Sequence, residues 1–113
     1  MYKCLIFEEK DSIATITLNR PDFFNAFNEE QSYELQDALK KTEKNDRIRV
    51  VVLTGAGKAF CSGQDLKSIV GKKRSFSEVV RKCYIPIIKA MRDLPKPIIC
   101  KLNGVAAGAG CSL

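Results

Sequence analysis

Apolar positions along this chain fall into runs of two periods, short alternating ones and longer helical ones. From Tyr2 to Glu8 the residues Tyr2, Cys4 and Ile6 alternate loosely with Lys3, Leu5 and Phe7, in a segment rich in strand formers. Lys10-Asp11 reads as a turn. From Ser12 to Leu18, Ile13, Thr15 and Thr17 alternate with Ala14, Ile16 and Leu18, which predicts a hairpin partner buried on both faces. Asn19-Arg20-Pro21-Asp22 ends it, because Pro21 has no amide hydrogen to give a ladder.

The period then lengthens. Asn28 is a good N-cap, Glu29 and Glu30 suit the positive end of a helix dipole, and Gln31 stands at the capping-box offset. Leu35, Ala38 and Leu39 recur at helical spacing, Lys40, Lys41 and Lys44 load the C-terminal end, and Asn45-Asp46 stops the helix. Val50 to Leu53 is a continuous apolar run of strand type. From Ser77 to Arg92 a longer helix places Val79, Val80, Cys83, Ile87 and Met91 largely on one side. Pro86 inside it should kink or divide it. Pro97 to Leu102 is the last strand-like run. The predicted order is β-β-α-β-α-β-α, an α/β domain with helices packed over a sheet.

Two strands end in stretches of small residues. The first is Thr54-Gly55-Ala56-Gly57-Lys58-Ala59-Phe60-Cys61-Ser62-Gly63-Gln64-Asp65-Leu66, and the second is Asn103-Gly104-Val105-Ala106-Ala107-Gly108-Ala109-Gly110-Cys111-Ser112-Leu113. Each fits an ordinary strand-to-helix turn. Each also offers exposed backbone amides at a strand end, where ligands collect in layered α/β proteins. Gly63 leaves the approach open beside the Gln64 amide. Two such ends could jointly hold one carbonyl oxygen.

Composition narrows the class. A chain of 113 residues supports one small domain, and 45% hydrophobic with 28% charged residues excludes disorder. No apolar run approaches the roughly 20 residues that span a bilayer, so no membrane partner is expected. Five cysteines, an odd number without a Cys-x-x-Cys pair, argue against a disulfide framework or a zinc site and fit a reducing, cytoplasmic setting. Histidine is absent, which removes Ser-His and Cys-His nucleophilic catalysis. The net charge of +6 favours phosphates as partners, with the densest basic cluster at Lys72-Lys73-Arg74 after Lys67. Only Phe76 lies near that cluster to stack on a base, so nucleic acid is the weaker reading.

Leu18-Asn19-Arg20-Pro21 with Asn25-Ala26, then Phe60-Cys61-Ser62-Gly63-Gln64-Asp65, then the Asn103-Gly104 stretch, resemble in order and spacing the enoyl-CoA hydratase/isomerase (crotonase) superfamily. That resemblance implies an α/β, crotonase-like ββα spiral of ClpP/crotonase type, incomplete at its C-terminus. Residues 1–113 would be the amino-terminal portion of a single acyl-CoA-binding domain, whose full members finish with helices that assemble trimers or hexamers. It also implies a coenzyme A thioester substrate and no permanently bound cofactor. Its enolate oxygen would be held by the backbone amides of Gln64 and Ala109. Asp22, Phe23, Phe24 and Ala26 match the loop lying against the adenine and pantetheine. Ser62 and Leu66 match the lining of the thioester channel, Gly63, Gln64, Gly108 and Ala109 match further substrate-binding positions, and Asp65 would fix the loop or contact the pantetheine region through its neighbours. Basic groups near Lys67 would help hold phosphates.

Ser112 stands where hydratases of the family carry the first of two glutamates. A serine hydroxyl cannot serve as a carboxylate base at neutral pH. The pattern is closer to the branch containing the ring-epoxide isomerase of phenylacetate degradation and Δ3/Δ2-enoyl-CoA isomerases, in which one acidic residue, here beyond Leu113, moves the proton. The expected activity of the full-length protein is therefore double-bond or ring-epoxide isomerisation, with hydration (lyase chemistry) as an alternative. The 113 residues alone would be inactive. A non-catalytic acyl-CoA-binding module and a basic nucleic-acid-associated domain are the readings from other classes.

Overall fold

The computed structural model describes residues 2–63 and 76–107. Strands β1 (Leu5–Lys10) and β2 (Ile13–Leu18) form an antiparallel hairpin, and β3 (Val50–Gly55) and β5 (Ile98–Cys100) add in parallel, giving the order β1-β2-β3-β5. The hairpin turns on Asp11 and Ser12, both at positive φ (53° and 68°), the twist a two-residue loop needs. One expectation fails here. Ala14, Ile16 and Leu18 are fully buried, but Ile13 is exposed and Thr15 and Thr17 are only half-buried, so β2 is covered on one face. Only that face meets helix α1 (Glu29–Lys44), which brings Leu35, Ala38 and Leu39 into the core with Val51, Leu53 and Phe60.

Asn28 caps α1 as expected, its Oδ1 accepting the Gln31 amide at 2.8 Å. The reciprocal half of the capping box is not made. The Gln31 side chain is buried and donates instead to the Cys4 carbonyl at 3.1 Å, pinning the N-terminal segment to the helix. Glu34 assists by accepting the Lys3 and Cys4 amides.

The expected long helix is divided. Phe76–Val79 (α2) leads into a π-helical turn, Val80–Tyr84, and then α3, Ile85–Asp93. Pro86 has no amide hydrogen, so the Lys82 carbonyl lacks its usual α-helical donor. The Gln36 side chain donates to that carbonyl at 3.3 Å, and the Ser32 hydroxyl to the Cys83 carbonyl at 2.5 Å. Val79, Cys83 and Ile87 are buried and Met91 packs partly against the core, whereas the wider turn puts Val80 in an outer groove with Tyr84, Ile85 and Ile88.

Two strands were not expected. Ala59–Cys61 (β4) lies inside the first small-residue stretch and Val105–Ala106 (β6) inside the second, where a helix start was anticipated. They pair in parallel, with Ala59 opposite Val105, Cys61 opposite Ala106, and a bulge between. Neither run is long enough to carry a period, and each exists because the other supplies its ladder. Among the described residues, no helix is long and apolar enough to cross a membrane.

Candidate functional site

The site begins in the loop after β2. Pro21 opens a 3-10 turn, Pro21–Phe23, where its fixed φ suits the first position. Phe24 and Asn25 then take left-handed φ values of 51° and 57°. This reverses the chain and sets Asn25 facing inward, fully buried, between the exposed rings of Phe23 and Phe24 and the half-buried Ala26. The Arg20 guanidinium lies 4.6 Å from the centroid of the Phe23 ring and donates to the Ala26 carbonyl. Asp22 stands exposed on the turn.

This loop is joined edge to edge with the end of β4. The Ser62 amide donates to the Phe24 carbonyl at 3.0 Å and the Phe27 amide to the Gly63 carbonyl at 2.7 Å. The Ser62 hydroxyl is 3.5 Å from the Phe23 carbonyl. Phe23, Phe24, Ala26, Ser62 and Gly63 are thus brought to one place, and Asp22 sits beside them on the same turn. Gly63 has φ +112°, a conformation that side chains rarely adopt. On the other flank the Ala107 amide donates to the Cys61 carbonyl at 3.0 Å, so the two small-residue stretches leave the small sheet side by side. Gln64, Asp65, Leu66, Gly108, Ala109 and Ser112 lie outside the described residues, as do Lys67 and Lys72-Lys73-Arg74.

The surroundings are dry on the protein side. Phe60 and Cys61 are buried, and burial pushes the Cys61 thiol up from its ordinary range. The Tyr84 ring packs 5.8 Å from that of Phe27, and its phenol is held well above its usual value, chiefly by burial and then by the neighbouring Cys61 and Cys83 thiols. Both groups stay neutral at physiological pH, so neither is a base. What the described residues offer is two neighbouring strand ends of small residues beside exposed aromatic rings, the rings suited to a flat group.

Sequence reasoning missed two contributors. Asn25 and Asn103 were visible only as parts of motifs, yet both amides reach into the turn between β3 and β4. Asn103 beside Gly104 signals a turn, and nothing in the local pattern shows that its side chain bridges two strands.

The enoyl-CoA hydratase/isomerase family model matches residues 8–113, and the chain belongs to that family. Its architecture is the α/β crotonase fold. The 1,2-epoxyphenylacetyl-CoA isomerase of Escherichia coli strain K12 is 41% identical over 117 residues, which take in 100% of this chain and 45% of that protein. The crystal structure of an enoyl-CoA hydratase from Mycobacterium smegmatis superposes with a TM-score of 0.86 at 34% identity, covering 98% of this chain and 44% of its own. An enoyl-CoA hydratase/isomerase from Mycobacterium paratuberculosis gives 0.87 at 28% identity, covering 100% and 46%. The chain therefore spans less than half the length of these relatives.

Proposed function

We propose that the full-length protein carrying this segment processes acyl-CoA thioesters, holding an enolate oxygen between the backbone amides of Gln64 and Ala109, and that it moves a double bond or opens a ring epoxide. The observation that carries the proposal is the parallel pairing of β4 with β6. It brings Cys61 and Ala106 to neighbouring strand ends, which supports two donors converging from the segments that follow. Two donors aimed at developing charge supply on the order of several kcal/mol of transition-state stabilisation. Removing a proton α or γ to the thioester then needs one base to take the proton up and return it along the carbon skeleton.

The exposed Phe23 and Phe24 rings, the first packed against the Arg20 guanidinium, form the surface for the adenine and pantetheine portion, and Ser62 and Gly63 line the approach to the thioester. Coenzyme A enters as part of the substrate, and no further cofactor is required. Ser112 in place of a glutamate favours isomerisation, and the relative named as a 1,2-epoxyphenylacetyl-CoA isomerase supports the same choice. Hydration is the second reading, favoured by the solved relative named as an enoyl-CoA hydratase.

A direct spectrophotometric comparison of hydration and isomerisation on short-chain enoyl-CoA substrates tests this. Isomerisation should exceed hydration in the wild type, and Ser112→Glu should add a trace of hydratase activity. Fast wild-type hydration of crotonyl-CoA would contradict the use of Ser112 to choose the reaction.

A further inference from the structure

We infer that Asn25 and Asn103 form a shared positioning clamp that ties both halves of the proposed oxyanion site to one atom, the carbonyl oxygen of Ala59; the inference rests on the thioester reading above. The Asn25 Nδ2 donates to Ala59 O at 2.8 Å and to Ala56 O at 2.9 Å, and its Oδ1 accepts the Arg20 amide at 2.7 Å. Asn103 reaches the same turn from the other side. Its Oδ1 accepts the Gly55 amide at 3.1 Å, and its Nδ2 donates to Gly57 O and Ala59 O, both at 3.0 Å. A carbonyl oxygen has two lone pairs, and the two side-chain amides converge on this one.

Each asparagine opens one wall of the site. Asn25 belongs to the loop bonded to Ser62 and Gly63, and Asn103 leads into the strand paired with Ala59 and Cys61. The approach is close enough to require glycine. A Cβ on Gly55 would lie 2.9 Å from Asn25 Nδ2 and 2.7 Å from Ala59 O, and one on Gly104 would lie 1.9 Å from Lys58 O. The separation of the two strand ends that lead toward the proposed donors is therefore set through Ala59. Asn25 and Asn103 are positioning residues that touch no substrate.

Asn103→Asp in the full-length protein is the decisive variant. It keeps an acceptor for the Gly55 amide and removes both N–H donors. We expect kcat on an enoyl-CoA to fall about 30- to 100-fold with KM within about threefold. Lowering the pH should recover part of the loss, beyond any change in the wild type, because a protonated carboxyl donates again. Asn25→Gly, which tolerates the positive φ, should give a similar loss. The double variant should be no worse than about threefold below the poorer single one, since either change releases Ala59. Thr54→Val removes the bond from Thr54 Oγ1 to Lys101 O at the same end of the sheet without touching Ala59. It should lower the melting temperature and leave kcat unchanged.

Losses that multiply in the double variant, a loss confined to KM, no recovery at low pH, or an equal kcat loss in Thr54→Val would each overturn the clamp. If Asn25→Gly does not fold, the pH recovery of Asn103→Asp decides alone. A wild type inactive on every CoA thioester would overturn the thioester reading and the clamp with it. An active wild type with unaffected variants would overturn only the clamp.

Discussion

Gly63 shows most directly how single residues support the proposed chemistry. Its φ of +112° and its position where two loops meet mean that a branched side chain there strains the backbone and blocks the approach to the neighbouring amide. Gly63→Val should therefore abolish turnover in the full-length protein, while Gln64→Ala, which keeps the amide, should stay within roughly tenfold of wild type. Steady-state kinetics on one enoyl-CoA substrate checks both, and equal damage would mean the Gln64 side chain matters. The thiols make a separate statement. Burial raises the Cys61 pKa above its ordinary 9.0, so the folded state keeps the neutral form while the unfolded chain ionises. That stabilisation is intact below about pH 9 and is lost as pH rises through the folded value, so stability should decline on the alkaline side. Cys61→Ala should flatten that decline in urea titrations across pH. At this scale the glycines and small residues were legible in the sequence, because φ requirements and close approach act locally. Asn25 and Asn103 were not, because their roles depend on carbonyls 31 to 46 residues away.

Among the elements, the π-helical turn is the one whose cause can be traced furthest. Pro86 was readable as a break. The form of the break was not, because it is fixed by Ser32 and Gln36 on α1, which satisfy the carbonyls of Cys83 and Lys82. Ser32 is fully buried, and Ser32→Ala removes the bond that its hydroxyl gives the Cys83 carbonyl. Chemical denaturation should show a loss of about 1 kcal/mol. A loss of a few tenths would mean that the turn holds its shape without α1. The strand pair β4–β6 teaches the same lesson with opposite sign. Runs of three and two residues carry no periodic signal, and the pairing emerges only when β3 and β5 bring them together.

For the molecule as a whole, the order of large elements and the family followed from the sequence, since long amphipathic segments and three ordered motifs survive without knowledge of contacts. The surface they leave did not follow so readily. Ile85, Ile88, Ile99, Leu102 and Val105 are exposed, the last two by 64% and 65%, and among the described residues β5 is an edge strand. Apolar area of this kind marks a contact surface. Residues 1–113 made alone should self-associate, seen by sedimentation as species heavier than a monomer. A monodisperse monomer with a sharp cooperative melt would count against this reading.

The central claim is that the ends of β4 and β6 deliver two amides to one thioester oxygen. Hydrogen bonding to that oxygen weakens its C=O bond, which isotope-edited infrared spectroscopy of a carbonyl-labelled acyl-CoA bound to the full-length protein reads directly. The labelled band should move to lower frequency on binding, keep that shift in Gln64→Ala, and lose it in Gly63→Val. A bound thioester whose carbonyl band stays at its free position in the wild type would contradict the account.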